Sequence, residues 1–117
     1  MNEEAGPIFR QVAAEIENAI VDGSLAEESQ APSSNELAAF HRINPATAGK
    51  GLNLLADAGV LVKRRGVGMF VAVGAPALLR QRRRDDFARD YLAPLLREAA
   101  HLGIDHREIT EMMEALQ

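Results

Sequence analysis

Cysteine is absent from the chain, which excludes disulfides, Cys-ligated zinc and thiol nucleophiles together and suits a reducing compartment. Aromatic residues are scarce, at 4% of the sequence, while Ala and Leu are abundant, a composition that favours packed helices over a sandwich or barrel. Long apolar runs are missing too: the longest, Met69 to Leu79, is far short of a membrane span and contains Gly74 and Pro76. The opening Met-Asn-Glu-Glu lacks the basic and apolar regions of a signal peptide. The expectation is a soluble cytoplasmic protein with no membrane partner.

A net positive balance is lacking as well. The formal charge of -4 by itself argues against a nucleic-acid binder, whose domains usually carry a positive footprint. The distribution of charge points the other way. Residues 1–34 hold one Arg against seven acids, whereas residues 35–74 hold five Lys or Arg against two acids. With 117 residues and 47% hydrophobic content, the chain fits one compact domain plus an appendage.

Helical spacing is clear from the start. Pro7 suits the first helical position, Phe9, Val12, Ile16, Ala19 and Ile20 follow on one face, and Gly23 supplies a stop. Residues 24–32 read as a loop. Ser33-Ser34-Asn35-Glu36 has the Ser-x-x-Glu form of a capping box, predicting a short helix through Leu37, Ala38 and Phe40. That helix should end near His41-Arg42, and Asn44-Pro45 restarts the chain with a cap and a first-turn proline. Ala48, Leu52, Leu55 and Ala56 form the inner stripe of this third helix, closed by Gly59. Val60, Leu61 and Val62 begin a strand, and Phe70, Val71 and Val73 form its return. Between them lies the basic, glycine-bracketed tip Lys63-Arg64-Arg65-Gly66-Val67-Gly68.

After Gly74-Ala75-Pro76 the pattern is helical again, with Phe87, Tyr91, Leu95, Ala99 and Leu102 spaced by three to four residues and Pro94 expected to kink the run. Gly103 ends it, Asp105 and Glu108 resemble a further cap, and Ile109, Met112, Met113 and Leu116 make a last apolar stripe. Two such helices cannot enclose a core alone and call for a partner surface, most simply the same arm of a second subunit. The expected fold class is mainly α with a small β-hairpin: a winged helix-turn-helix over residues 1–74, then a two-helix C-terminal dimerisation arm over residues 75–117.

Pro7-Ile8-Phe9-Arg10-Gln11, Pro32 to Ala38, Ile43-Asn44-Pro45-Ala46-Thr47 and Arg65 to Val71, in that order and spacing, resemble the GntR family of bacterial transcription regulators. Asn44-Pro45 and the short tail with its Leu102-Gly103 break resemble the YtrA subfamily, whose members dimerise through a small two-helix region. The resemblance implies a homodimer that sets its third helix in the major groove and its wing in the adjacent minor groove of an inverted-repeat operator on double-stranded DNA. It assigns DNA contact to Ser33 and Asn35 on the second helix, Asn44, Thr47 and Lys50 on the third, and Arg65 with Gly66 at the wing. Lys63 and Arg64 join them as neighbouring cations. Dimerisation falls to Phe87, Tyr91, Leu95, Leu102, Ile109, Met112, Met113 and Leu116. The family usually carries Arg at the positions of Asn35 and Gly49; Asn can read adenine edges but cannot make the bidentate contact of Arg to guanine.

Each feature has an ordinary structural reading beside the functional one. Asn44 and Thr47 serve as caps in any helix, and most charge runs are solvated turns. Here Gly66 and Gly68 leave little bulk beside three cations, which suits a narrow, negative minor groove. Gly49 and Gly51 each cost about 1 kcal/mol relative to Ala inside a helix. Gly49 is expected to allow close approach to DNA, and Gly51 close packing against the second helix. Arg80, Arg82, Arg83 and Arg84 read first as a solvated face paired with Asp85, Asp86 and Asp90, and second as phosphate contacts.

His41, His101 and His106 lack metal-ligand spacing, although His101, Asp105 and His106 could cluster; no metal site is expected. No Ser or His stands in a triad context and no paired carboxylates mark a pocket, so neither an enzyme nor a cofactor is expected. The reading is a dimeric DNA-binding transcriptional regulator, a repressor, with its effector unknown and a transporter operon suggested by the subfamily. The tail is too short for a large ligand domain, so any effector would bind the arm or the hinge at Gly74. The rival reading is a winged-helix protein-interaction module without DNA binding.

Overall fold

The computed structural model describes residues 1–117. Helix α1 spans Ile8–Asp22, α2 Ser34–His41 and α3 Pro45–Asp57; strands β1, Leu61–Arg64, and β2, Gly68–Val71, form an antiparallel hairpin. Helices α4, Ala75–Phe87, α5, Ala93–Leu102, and α6, His106–Leu116, complete the chain. The first three helices and the hairpin make a winged helix-turn-helix.

Local chemistry sets these boundaries. The Ser33 hydroxyl accepts from the Glu36 amide at 3.1 Å while the Glu36 carboxylate accepts from the Ser33 amide at 3.2 Å, a complete capping box. Asn44 caps α3 through its side-chain oxygen, 2.8 Å from the Ala46 amide, with Pro45 in the first turn. Between them Arg42 takes the left-handed conformation at φ 56° and turns the chain sharply. Pro7 stands one place before the first helical residue, as the N-cap of α1.

The helices α1 and α2 both pack on α3. Their shared core holds Val12, Ile16 and Ile20 from α1, Leu37 from α2, Ala48, Leu52 and Leu55 from α3, and Val60, Leu61 and Val71 at the hairpin. No polar or charged residue is buried among them. The driving force is therefore apolar burial, about 1.5 to 3 kcal/mol for each large aliphatic side chain. Phe40 does not join this core: it is 80% exposed, because a helix of two turns buries only Leu37 and Ala38.

Gly51 makes the close approach, but to α1 and not to α2 as the sequence suggests. A β-carbon there would lie 2.7 Å from the Phe9 carbonyl oxygen and 3.0 Å from the Val12 side chain. The same substituent at Gly49 would meet only the Ser34 β-carbon, at an ordinary 3.8 Å.

The hairpin pairs Leu61 with Val71 and Arg64 with Gly68, leaving Arg65, Gly66 and Val67 as the tip. Val73, expected in the return strand, lies beyond β2 and is exposed. The segment read as a loop contributes to the wing: the Glu28 amide donates to Val71 at 2.9 Å, the Val71 amide to Ser29 at 2.9 Å, and the Ala31 amide to Met69 at 2.8 Å. Such pairing uses backbone alone and needs no side-chain alternation, so periodicity does not reveal it.

The chain divides into two compact units, Met1–Arg80 and Gln81–Gln117. The break falls after Arg80 and not after Gly74, because Ala75 and Leu79 of α4 belong to the first core. The Arg80 guanidinium donates to the Val21 carbonyl at 3.0 Å, fastening this turn to α1. Glu27 accepts from the Gly74 amide just ahead of it.

In the second unit, Pro94 does not end the helix. A π-helical turn over Ala88–Leu92 precedes it, in which the Ala93 amide reaches the Ala88 carbonyl. One wider turn accommodates a residue that has no N–H and crowds the carbonyl before it. Asp105 caps α6 through the Glu108 amide at 2.9 Å. Only Ala99 is buried here. An apolar groove of about 350 Å³ opens between α5 and α6, lined by Leu95, Ala99, Leu102, Ile109, Met112 and Met113 among others.

Candidate nucleic-acid interface

The start of α2, the outward face of α3 and the wing border one groove. Its lining includes Ser33 and Ser34 from α2, Gly49 and Asn53 from α3, and Lys63 and Gly68 from the wing, around about 290 Å³. Polar and cationic groups from three separate chain segments thus meet on one face of the first unit.

Ser33, Asn35, Asn44, Lys50, Lys63, Arg64, Arg65 and Gly66 are all exposed, and Thr47 is half-buried. Ser33 and Asn44 are occupied as caps through one oxygen each, which leaves the hydroxyl proton of Ser33 and the amide protons of Asn44 available to an acceptor. Those available donors sit at the positive ends of two helix dipoles, an arrangement that favours anions.

Two of the cations are held by aromatic rings. The Lys50 ammonium lies 4.1 Å from the Phe9 ring centre, and the Arg64 guanidinium 4.2 Å from that of Phe70. At exposed sites each such contact is worth about 0.5 to 1 kcal/mol, enough to bias a long side chain without removing its charge from solvent. Phe9, expected on the inner stripe of α1, is half-buried and supports Lys50 instead of filling the core. Gly66 takes φ 78° in the tip, where a turn with a left-handed residue favours glycine.

Two residues of this face lie outside the sequence-based assignment. Asn53 follows Lys50 by three residues and lines the groove, a position that helical spacing alone could have found. Arg10 adds a cation 5.3 Å from the same Phe9 ring that holds Lys50, and it falls within the Pro7 to Gln11 motif without an assigned role. Around the Arg80 to Arg84 run, Arg80 donates to the Val21 carbonyl, Asp85 accepts from Gln81 at 2.8 Å, and Arg89 engages Asp86 and Asp90 at 3.4 and 3.0 Å. Of the histidines, His41 meets Glu15 at 2.9 Å between α1 and α2, and His101 stands 3.9 Å from Glu98.

Replacing Asn44 by Ala removes the cap of α3 and should cost about 1 kcal/mol of unfolding free energy. Denaturant titration checks this, with Asn44→Ser expected to restore most of the loss.

Residues 9–71, more than half of the chain, match the family of bacterial regulatory proteins designated gntR. The chain belongs to the GntR family. It is 27% identical over 109 residues to YhcF of Bacillus subtilis (strain 168), an uncharacterized HTH-type transcriptional regulator, covering 93% of this chain and 88% of that one. A transcriptional regulator of the GntR family from Bacteroides thetaiotaomicron shares 31% identity with a TM-score of 0.71, over 93% of this chain and 95% of its own. YtrA from Sulfolobus acidocaldarius, a GntR-family transcription factor, shares 26% identity with a TM-score of 0.52, over 95% and 88%. This chain is accordingly a GntR-family transcriptional regulator with a DNA-binding helix-turn-helix domain, and its family and fold are those of regulators, not enzymes. No helix is long and apolar enough to cross a membrane.

Proposed function

We propose that this GntR-family regulator acts as a homodimeric repressor that occupies an inverted-repeat operator, and that it stands with the YtrA subfamily. The observation that carries the reading is a pair of complementary surfaces on one short chain. One is the groove of the first unit, where Ser33, Ser34, Asn53 and Lys63 supply polar groups beside exposed Lys50, Arg64 and Arg65, and the other is the uncovered apolar groove of the second. In this assignment Asn44, Thr47 and Lys50 enter the major groove, with Ser33 and Asn35 beside them at the start of α2. Lys63, Arg64, Arg65 and Gly66 reach the adjacent minor groove. Phosphate contacts supply most of the affinity and base-edge contacts the specificity.

Phe87, Tyr91, Leu95, Leu102, Ile109, Met112, Met113 and Leu116 bury against the same residues of a second subunit. Phe87, Tyr91, Leu102 and Leu116 are 52%, 66%, 65% and 88% exposed, too much apolar surface to leave in water. A two-fold interface of this kind matches the two half-sites of a palindrome. The likeness to YtrA supports the subfamily placement, and control of a transporter operon is part of the same proposal.

Selection of bound sequences from a random duplex pool tests the proposal. Enrichment of an inverted repeat is the expected result, whereas recovery of no motif at low salt would remove it. With the selected duplex in hand, Arg65→Ala should weaken binding and lower the slope of log affinity against log salt by about one.

A further inference from the structure

We propose that Gln30 is a positioning residue for the wing, holding the tip in the conformation that meets DNA; this rests on the reading above that Arg65 enters the minor groove. A hairpin with strands of four residues each is marginal alone. Backbone pairing by residues 28–31 supports β2, but that support ends at Met69 and leaves the tip beyond it.

Gln30 reaches across this gap. Its side-chain amide nitrogen donates to the Val67 carbonyl at 2.9 Å, a link between residues 37 apart in sequence. Val67 closes the tip turn in turn, its own amide donating to Arg64 at 3.0 Å. One side chain therefore ties the turn that presents Arg65 and Gly66 to the body of the domain. Gly68 makes room for it. A β-carbon at Gly68 would lie 2.6 Å from the Gln30 amide nitrogen, and the residue adopts φ 137°.

The clamp works by preorganisation. A free tip loses conformational entropy when it enters a groove, whereas a tip already held has lost much of it beforehand. Gln30 is itself exposed and fills no part of the core, so its removal affects the tip and not the fold.

The test uses the full chain, the selected operator duplex and Gln30→Met, which keeps the length of the side chain and deletes the donor. Four results are expected together. Exchange of the Val67 amide in the DNA-free protein should accelerate at least about threefold. The thermal midpoint should stay within about 2 °C of wild type. Operator affinity should fall roughly fivefold, the worth of one hydrogen bond. In an Arg65→Ala background the same substitution should bring a clearly smaller loss, because the main cation it positions is gone.

Unchanged affinity in Gln30→Met, with Arg65→Ala clearly weakened, would overturn the clamp and leave the wing reading standing. A loss that persists undiminished in the Arg65→Ala background would also overturn it, since Gln30 would then touch DNA itself. A larger fall in thermal midpoint would make the effect one of folding and count equally against it. If Arg65→Ala bound as well as wild type, the wing reading would fail and take the clamp with it.

Discussion

Gly51→Ala should destabilise the protein by about 2 kcal/mol, while Gly49→Ala, two residues away on the same helix, should leave it as stable or more so. Both substitutions gain about 1 kcal/mol of helix propensity. At Gly51 that gain is outweighed, because the new methyl would sit 2.7 Å from a backbone oxygen of α1 that cannot rotate aside. Forcing α1 and α3 apart costs about 1 to 3 kcal/mol or more in a close-packed core. At Gly49 the nearest atom is 3.8 Å away and nothing must move.

Denaturant midpoints of the two variants separate these effects, and equal midpoints would show that the α1 contact does not constrain the fold. DNA binding should invert the order. Gly49 borders the groove between α3 and the wing, so Gly49→Ala should keep its stability yet weaken operator binding. Binding as tight as wild type would dismiss the idea that Gly49 makes room for DNA.

Leu95→Glu should weaken self-association by at least about 100-fold. Leu95 borders both apolar grooves formed by α5 and α6, and it is 40% exposed in the single chain. A carboxylate is tolerated there as long as water reaches it. Burial against a second copy leaves the charge without a partner, a penalty of several kcal/mol per ion, and each 1.4 kcal/mol is a factor of ten. Sedimentation equilibrium reads the change directly. Operator affinity should fall in parallel, because a monomer engages one half-site and loses the gain of linkage. A variant that still sediments as a dimer would place the interface elsewhere, and a wild-type chain that remains monomeric at high concentration would remove it.

Much of the candidate site was legible in the sequence because it rests on local rules. The capping box at Ser33 and Glu36 and the Asn44-Pro45 start of α3 depend on groups within three residues of each other, and both form as their sequence patterns predict. The hairpin was legible too, since apolar residues on either side of a glycine-rich basic turn have few other solutions. The Arg80 to Arg84 run was less legible. Its charges admit several partners at similar spacing, and Arg80 finds the Val21 carbonyl, 59 residues away, instead of a neighbouring acid.

Contacts between distant segments account for the remaining differences. Gly51 announces a close approach, but only the packing of α1 on α3 says to what. Gln30 looks like one polar residue in a loop until the fold brings it to Val67. Ala75 and Leu79 are spaced four apart on a helix, a pattern that states which face is apolar but not which core receives it. The sequence by itself determined the element types, their caps, the basic wing and the family resemblance, because propensity and periodicity act over a few residues. Tertiary structure alone decided the partner of Gly51, the backbone pairing of residues 28–31 with β2, the end of the first unit at Arg80 and the seat of Gln30. Each of those depends on which surfaces meet, and one-dimensional spacing carries no record of that.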